Sequence, residues 1–190
     1  MSEENVRRGF SSGAGMPLDV SSAGWPENAF RIHTSRRQAA RSIRSMSFVI
    51  DHSVEIEASA ETVWQAIVRL EKYAEWNPFV VACRSTLEVG SPIDMKVRLF
   101  DTFTQKQRET IFEHVPGKRL SYGVESMPLG ALSSLRSHEV HAVDVHRARY
   151  DSHFELNGWL APIVRRLLGG RLRKGFGGMT EALARRAAGR

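Results

Sequence analysis

Between Ser47 and Glu57 apolar and polar residues alternate without a break. Phe48, Ile50, His52, Val54 and Ile56 fall on one side, and Val49, Asp51, Ser53, Glu55 and Glu57 on the other. A period of two predicts a strand with one buried face. The period then changes. Ser59 offers an N-cap, Glu61 puts a negative charge in the first turn, and Val63, Ala66, Ile67 and Leu70 recur at helical spacing. A short amphipathic helix is expected over 60–70. A second short helix over 71–76 should stop ahead of Pro78, because a residue preceding proline is driven out of helical geometry.

Five strand-like runs separated by turn signals follow, and a sixth precedes the last helix. Residues 80–89 stop at Gly90-Ser91-Pro92, and 93–99 alternate Ile93, Met95, Val97 and Leu99 with Asp94, Lys96 and Arg98. Residues 104–115 make a long, less regular run closed by Pro116-Gly117, and 119–125 carry Leu120, Tyr122 and Val124 on one face. After a loop over 126–131 come strands at 135–143 and 146–156. The last alternates Ala148, Tyr150, Ser152, Phe154 and Leu156 with charged neighbours. The hairpin at Asp144-Val145 lacks the Asn-Gly or Asp-Gly of a tight primed turn. From Pro162 onward Val164, Leu168, Leu172, Phe176, Met179 and Leu183 recur every three or four residues, with Ile163 and Leu167 widening the stripe. The order is strand, two short helices, six strands, long helix. Short connections imply an antiparallel sheet of about seven strands, an α+β class in which the long helix covers the apolar face.

Composition narrows the function classes. No apolar run approaches the ~18–20 residues of a membrane-spanning helix. Cys83 is the only cysteine, which excludes an intrachain disulfide and suits the cytoplasm. The net charge of +6 is uneven: residues 1–45 carry seven basic and four acidic groups, 46–161 twelve and sixteen, and 162–190 eight and one. The body is mildly acidic and the excess sits on a tail and one helix, so nucleic acid is not an expected partner. Residues 1–45 lack periodicity and an apolar leader core, and are expected to form a disordered extension or to precede a natural start at Met46-Ser47. The folded domain is expected over 46–190.

Several segments carry a family resemblance. The run from Val54 to Trp64 resembles the first strand and helix of polyketide cyclase/dehydrase-type members of the START-like (SRPBCC) superfamily. Tyr73 with Trp76-Asn77-Pro78-Phe79 is similar to the motif after their second helix, Leu87-Glu88-Val89-Gly90-Ser91 to a strand turn, and Gly175 to Leu183 to the end of their closing helix. The resemblance covers about residues 47–187. It implies a helix-grip fold, a curved sheet wrapped round the C-terminal helix, and a cavity for lipids, sterols, hormones or polyketides, which a minority of members cyclise or dehydrate. The glycine-free final hairpin and the glycine-rich closing helix depart from the family pattern.

A curved sheet round one helix leaves a gap that a single layer of side chains fills incompletely, and such gaps take apolar ligands fixed by a few polar groups. Parity places His52, Met95, Val97, Leu99, Tyr122, His138, Tyr150 and Ser152 on the inner face, with Phe176 and Met179 from the helix. Trp76 and Phe79 are further candidates for ligand contact. His52 and His138 could each act as a general base or orient a carbonyl; the alternative is a buried, hydrogen-bonded histidine. Arg136 shares the His138 face. Tyr122 and Tyr150 bring a hydroxyl on an apolar body, as ligand handles, catalytic acids or plain core. Histidine spacing suggests no metal site, and no phosphate or dinucleotide motif calls for a cofactor.

Glycines at 169, 170, 175, 177 and 178 weaken the closing helix by ~1 kcal/mol each relative to alanine. They imply either close approach to the sheet or a helix that loosens to admit ligand. Arg165, Arg166, Arg171, Arg173 and Lys174 form its solvated back or, alternatively, a peripheral contact with an anionic membrane. The first expectation is a carrier or sensor of a small hydrophobic molecule. The alternatives are a polyketide cyclase/dehydratase-like enzyme and a membrane or nucleic-acid interaction protein. No oligomeric state follows from the sequence.

Overall fold

Seven antiparallel strands in the order β1-β7-β6-β5-β4-β3-β2 make one sheet. The structure is a computed structural model that describes residues 47–189, so the expected extension over 1–45 lies outside the described residues. The strands are β1 (Phe48–Ile56), β2 (Val80–Arg84), β3 (Pro92–Val97), β4 (Gln105–Val115), β5 (Arg119–Gly123), β6 (Ser133–Ala142) and β7 (Ala148–Asn157). Between β1 and β2 lie α1 (Ala60–Val68), a single 3-10 turn and α2 (Tyr73–Trp76), and the described chain closes with α3 (Ala161–Ala187). This is the expected α+β helix-grip arrangement.

The two edge strands stand at opposite ends of the strand order, yet β1 and the residue that leads into β2 both reach α3. On one side Gly177 faces His52 of β1, and on the other Gly175 meets the ring of Phe79, which leads into β2. A sheet whose two edges approach one helix must curl around it. Gly175 is obligatory there, because a Cβ at that position would overlap the Phe79 ring. Close approach to the sheet thus accounts for one of the helix glycines.

Local signals set most element ends. Ser59 caps α1, its Oγ accepting from Thr62 N at 3.2 Å, as expected. β2 ends five residues earlier than the alternation suggested. Ser85 Oγ accepts from Leu87 N at 3.1 Å and donates to Pro92 O at 2.8 Å, while Leu87 adopts a φ of 62°, which no strand continues. The hairpin between β6 and β7 dispenses with glycine because Asp144 Oδ1 accepts from His146 N at 2.8 Å, closing the turn with a side chain.

The closing helix is longer than any strand it packs on. Its 27 residues span about 40 Å, whereas a ten-residue strand spans about 33 Å. Phe176, Met179, Thr180, Ala182, Leu183 and Ala187 are buried, but in the N-terminal half only Ala161 and Gly169 are. Ile163 and Leu167, expected to widen the apolar stripe, are instead 51% and 65% exposed. They lie on the solvent side of α3, whose inward side over the same stretch presents Ala161, Val164, Gly169 and Leu172 to the core. Among the described residues no helix is long and apolar enough to cross a membrane.

Candidate ligand-binding cavity

The hollow lies between the inner faces of β3–β7 and the middle of α3. It is lined by Phe79, Val80, Met95, Val97, Leu99, Phe154, Leu172, Phe176 and Met179, together with Gln105, Gln107, Glu109, Tyr122 and Arg136. Its walls follow from strand parity. In the β3–β4 register Ile93 lies opposite Glu109, Met95 opposite Gln107 and Val97 opposite Gln105, so every second residue of both strands faces inward. Phe79 is set in place by Asn77, whose Oδ1 accepts from Phe79 N at 3.0 Å and Val80 N at 2.9 Å. Its ring then packs edge-on against Phe176 at 4.9 Å.

The lining runs from buried Tyr122 and Arg136 to exposed Gln105 and Gln107, so the hollow opens to solvent beside β4. Its volume is about 70 Å³. An engineered void of ~150 Å³ takes up benzene, and pockets for drug-sized ligands run to ~300–1,000 Å³. As it stands the hollow takes only a few heavy atoms, and a larger guest must part the walls.

Two charged side chains share this small space. Arg136 is 3% exposed. Its Nη1 donates to Ser152 Oγ at 2.8 Å and to the His153 carbonyl at 3.2 Å. The cation sits 4.5 Å from the centre of the Phe176 ring, a cation–π contact. Glu109 is 8% exposed. Burial pushes its carboxyl up to about 7 against the opposing pull of Arg136, so near neutrality the group exchanges a proton readily. On the neighbouring β2, burial drives the Cys83 thiol up to about 12.

The expected site residues divide into two groups. Phe79, Met95, Val97, Leu99, Tyr122, Phe176 and Met179 line the hollow. His52, Trp76, His138, Tyr150 and Ser152 do not. His138 is fully buried, its Nε2 3.2 Å from Tyr122 Oη and its Nδ1 2.6 Å from Tyr150 Oη. Burial, reinforced by the Arg136 charge, holds it well below the usual histidine range, so it is a neutral ring bridging two hydroxyls. One tyrosine must donate to it and the other accept. Tyr150 is fully buried behind it, and Ser152 serves Arg136. His52 packs against Gly177 with its Nδ1 buried and unpartnered. Trp76 stacks edge-on with Tyr73 at 5.0 Å, outside the lining.

The inner face of β4 was missed by parity. Lys106 and Arg108 alternate with Gln105, Gln107 and Glu109, so both faces are polar and no hydrophobic period marks the inner one. The usable signal was Ile111: stepping back by twos from that buried residue reaches Glu109.

Residues 47–184 match the model of a family described as polyketide cyclase/dehydrase and lipid transport. A search of curated proteins finds no match. Among solved structures the chain is similar to the Zhui aromatase/cyclase from Streptomyces sp. R1128, at 16% identity over 74% of this chain and 93% of that one, with a TM-score of 0.59. It is similar also to a START superfamily protein from Mycobacterium smegmatis, at 16% identity over 74% and 94%, TM-score 0.54. A third is norcoclaurine synthase from Thalictrum flavum in complex with dopamine and hydroxybenzaldehyde, at 15% identity over 90% and 95%, TM-score 0.55. Identities this low establish a shared fold alone. The family match spans nearly all the described residues, from β1 into the last turn of α3, and on that ground the chain belongs to the polyketide cyclase/dehydrase and lipid transport family.

Proposed function

We propose that this chain binds a small, mainly apolar molecule, lipid- or polyketide-like, in the hollow between sheet and α3, as a carrier or sensor in the cytoplasm. One observation carries the reading: a cavity walled by Met95, Val97, Leu99, Leu172 and Phe176 draws its polar groups from three consecutive strands, β4, β5 and β6. Such a division orients a guest with an oily body and one polar end. The modest volume means that binding is coupled to opening. The N-terminal half of α3 is the less buried one, and so is the wall with least to lose by moving. Native mass spectrometry of the full chain, followed by solvent extraction, tests the reading: a co-purifying apolar molecule is expected, and failure of any of a panel of lipids and aromatic ketides to bind overturns it. Hydrogen exchange tests the gate. Residues 163–174 should exchange faster than 176–187, and equal protection would remove the helix from that role.

Glu109 and Arg136 favour a second reading, a cyclase/dehydratase-like enzyme. Aromatase/cyclase and norcoclaurine synthase activities belong to proteins of the same fold. Here a carboxyl that exchanges protons near neutral pH stands beside a buried cation suited to a developing oxyanion. On this reading Glu109, rather than His52 or His138, is the acid–base group. Deuterium exchange at the central carbon of 2,4-pentanedione, followed by NMR, provides the test. Acceleration over buffer that Glu109→Gln abolishes supports the enzyme, and a rate equal to buffer removes it.

A further inference from the structure

Arg136 is a buried cation in want of an anion. Arg84, Arg108, Arg119, Arg147, Arg149, Arg185 and Arg186 each pair with a carboxylate at the surface. Arg136, far less exposed, forms no ion pair among the described residues. Its partners are uncharged: the Ser152 hydroxyl, the His153 carbonyl and, more loosely, the Tyr150 hydroxyl, with Met179 Sδ 4.0 Å from Nη2, and Nε is buried without a partner. A desolvated charge is normally matched by an opposite one, because neutral dipoles replace only part of its lost hydration.

Glu109 is the one carboxyl that shares the hollow, and it leaves the need unmet. It makes no side-chain hydrogen bond or ion pair among the described residues, and its carboxyl titrates at about 7 even with Arg136 nearby. The titratable groups that influence it are Arg136 from β6, Tyr122 from β5 and Cys83 from β2. The lining from β3, β7 and α3 is uncharged, and Gln105 and Gln107 are the only other polar residues that β4 contributes to it. Tyr122 and Cys83 are both driven upward by burial and stay neutral. The hollow therefore alternates between charges of zero and +1 with the protonation of a single group.

We propose that the ligand is an apolar molecule ending in a carboxylate, that Arg136 receives the carboxylate, and that Glu109 takes up a proton from solvent as it binds. This rests on the hollow being the ligand site. An anion seated on Arg136 cancels the charge that favours ionised Glu109 and adds a repulsive one, so the bound state holds the Glu109 proton more tightly than the free state. Binding then draws in up to one proton. Since the protonated form is preferred, affinity falls as pH rises through 7, approaching tenfold per pH unit.

Isothermal titration of the full chain with decanoate and with 1-decanol tests this. Between pH 6.5 and 8.5 decanoate stays ionised, so its own titration does not intrude. The expected result is decanoate binding at least tenfold tighter than decanol at pH 6.5 and weakening toward pH 8.5. Proton uptake should show as a dependence of the apparent heat on the ionisation heat of the buffer. Arg136→Met should lose the preference for decanoate yet still bind decanol, which also reports that the variant is folded. Glu109→Gln should bind decanoate without the pH dependence or the proton uptake. Equal affinity of wild type for both compounds overturns the anion preference while leaving an apolar ligand site intact. Failure of both to bind overturns the proposal together with the ligand-site reading for single-chain lipids.

Discussion

His138 and Arg136 lie two residues apart on the same face of β6, and the chain treats them in opposite ways. His138 is enclosed by two tyrosine hydroxyls that occupy both ring nitrogens, and burial keeps it neutral. Arg136 is almost as deeply buried but has one unpartnered nitrogen and, among the described residues, no carboxylate. A buried polar group whose partners all come from within the protein is part of the architecture. One whose natural partner is missing marks where something from outside belongs. Both residues are polar, inward-facing and near the centre of the sheet, so burial alone would class them together. Only the partner list separates them.

The largest effect should come from attacking the satisfied side. Replacing His138 by alanine strands two buried tyrosine hydroxyls and leaves a void the size of an imidazole. Together these should cost about 3–5 kcal/mol of stability, measured by urea unfolding at fixed pH. A loss below about 1 kcal/mol would show that the Tyr122–His138–Tyr150 chain is not structural and would restore His138 as a functional candidate.

Next in size is the signature of Glu109. Its carboxyl ionises near 4.5 when unfolded and at about 7 when folded, so between those values the native state holds the extra proton. The group's full contribution is present at pH 4.5 and below and is lost as pH climbs through 7, roughly 3 kcal/mol in all. Surface carboxyls such as Asp94 and Asp144 are held low by Arg108 and by the His146 backbone N–H respectively, and they titrate alike in wild type and variant. The difference in stability between wild type and Glu109→Gln therefore isolates the effect. It should shift in favour of the variant from pH 5 to pH 8. A flat difference would place Glu109 in ordinary solvent, outside the buried surroundings it shares with Arg136.

The contrast between the two sides was only half visible in the sequence. The frame was legible because a sheet with one buried face writes its parity into the chain. β1, β3 and β7 alternate cleanly, and the spacing of Phe176, Met179 and Leu183 marks the helix that covers them. The hollow was legible where its walls are apolar, at Met95, Val97 and Leu99. What could not be read was partnership. Tyr122 and Tyr150 meet His138 because β5, β6 and β7 are in one particular register, with Leu120 opposite His138 and Tyr150 opposite Val140, and a single sequence does not carry register between strands. Glu109 was hidden for a different reason, since β4 is polar on both faces and has no hydrophobic period to reveal which residues turn inward.

The smallest expected effect on stability cuts deepest into the comparison. Arg136→Met removes a buried charge that has no counter-ion among the described residues and substitutes an apolar side chain of similar length beside Phe176 and Met179. Exchanging a buried ionic group for an apolar one of like volume is often close to neutral, so a change within about 1 kcal/mol is expected. The same variant should move Glu109 in a defined direction. With the neighbouring cation gone, nothing opposes burial, and the carboxyl should titrate above its present value of about 7, extending the pH-dependent loss of stability to higher pH. A large destabilisation, on the scale of His138→Ala, would mean that Arg136 is held for structure through Ser152 and the His153 carbonyl. The two residues would then be alike after all, and the missing anion would have no claim to be a ligand.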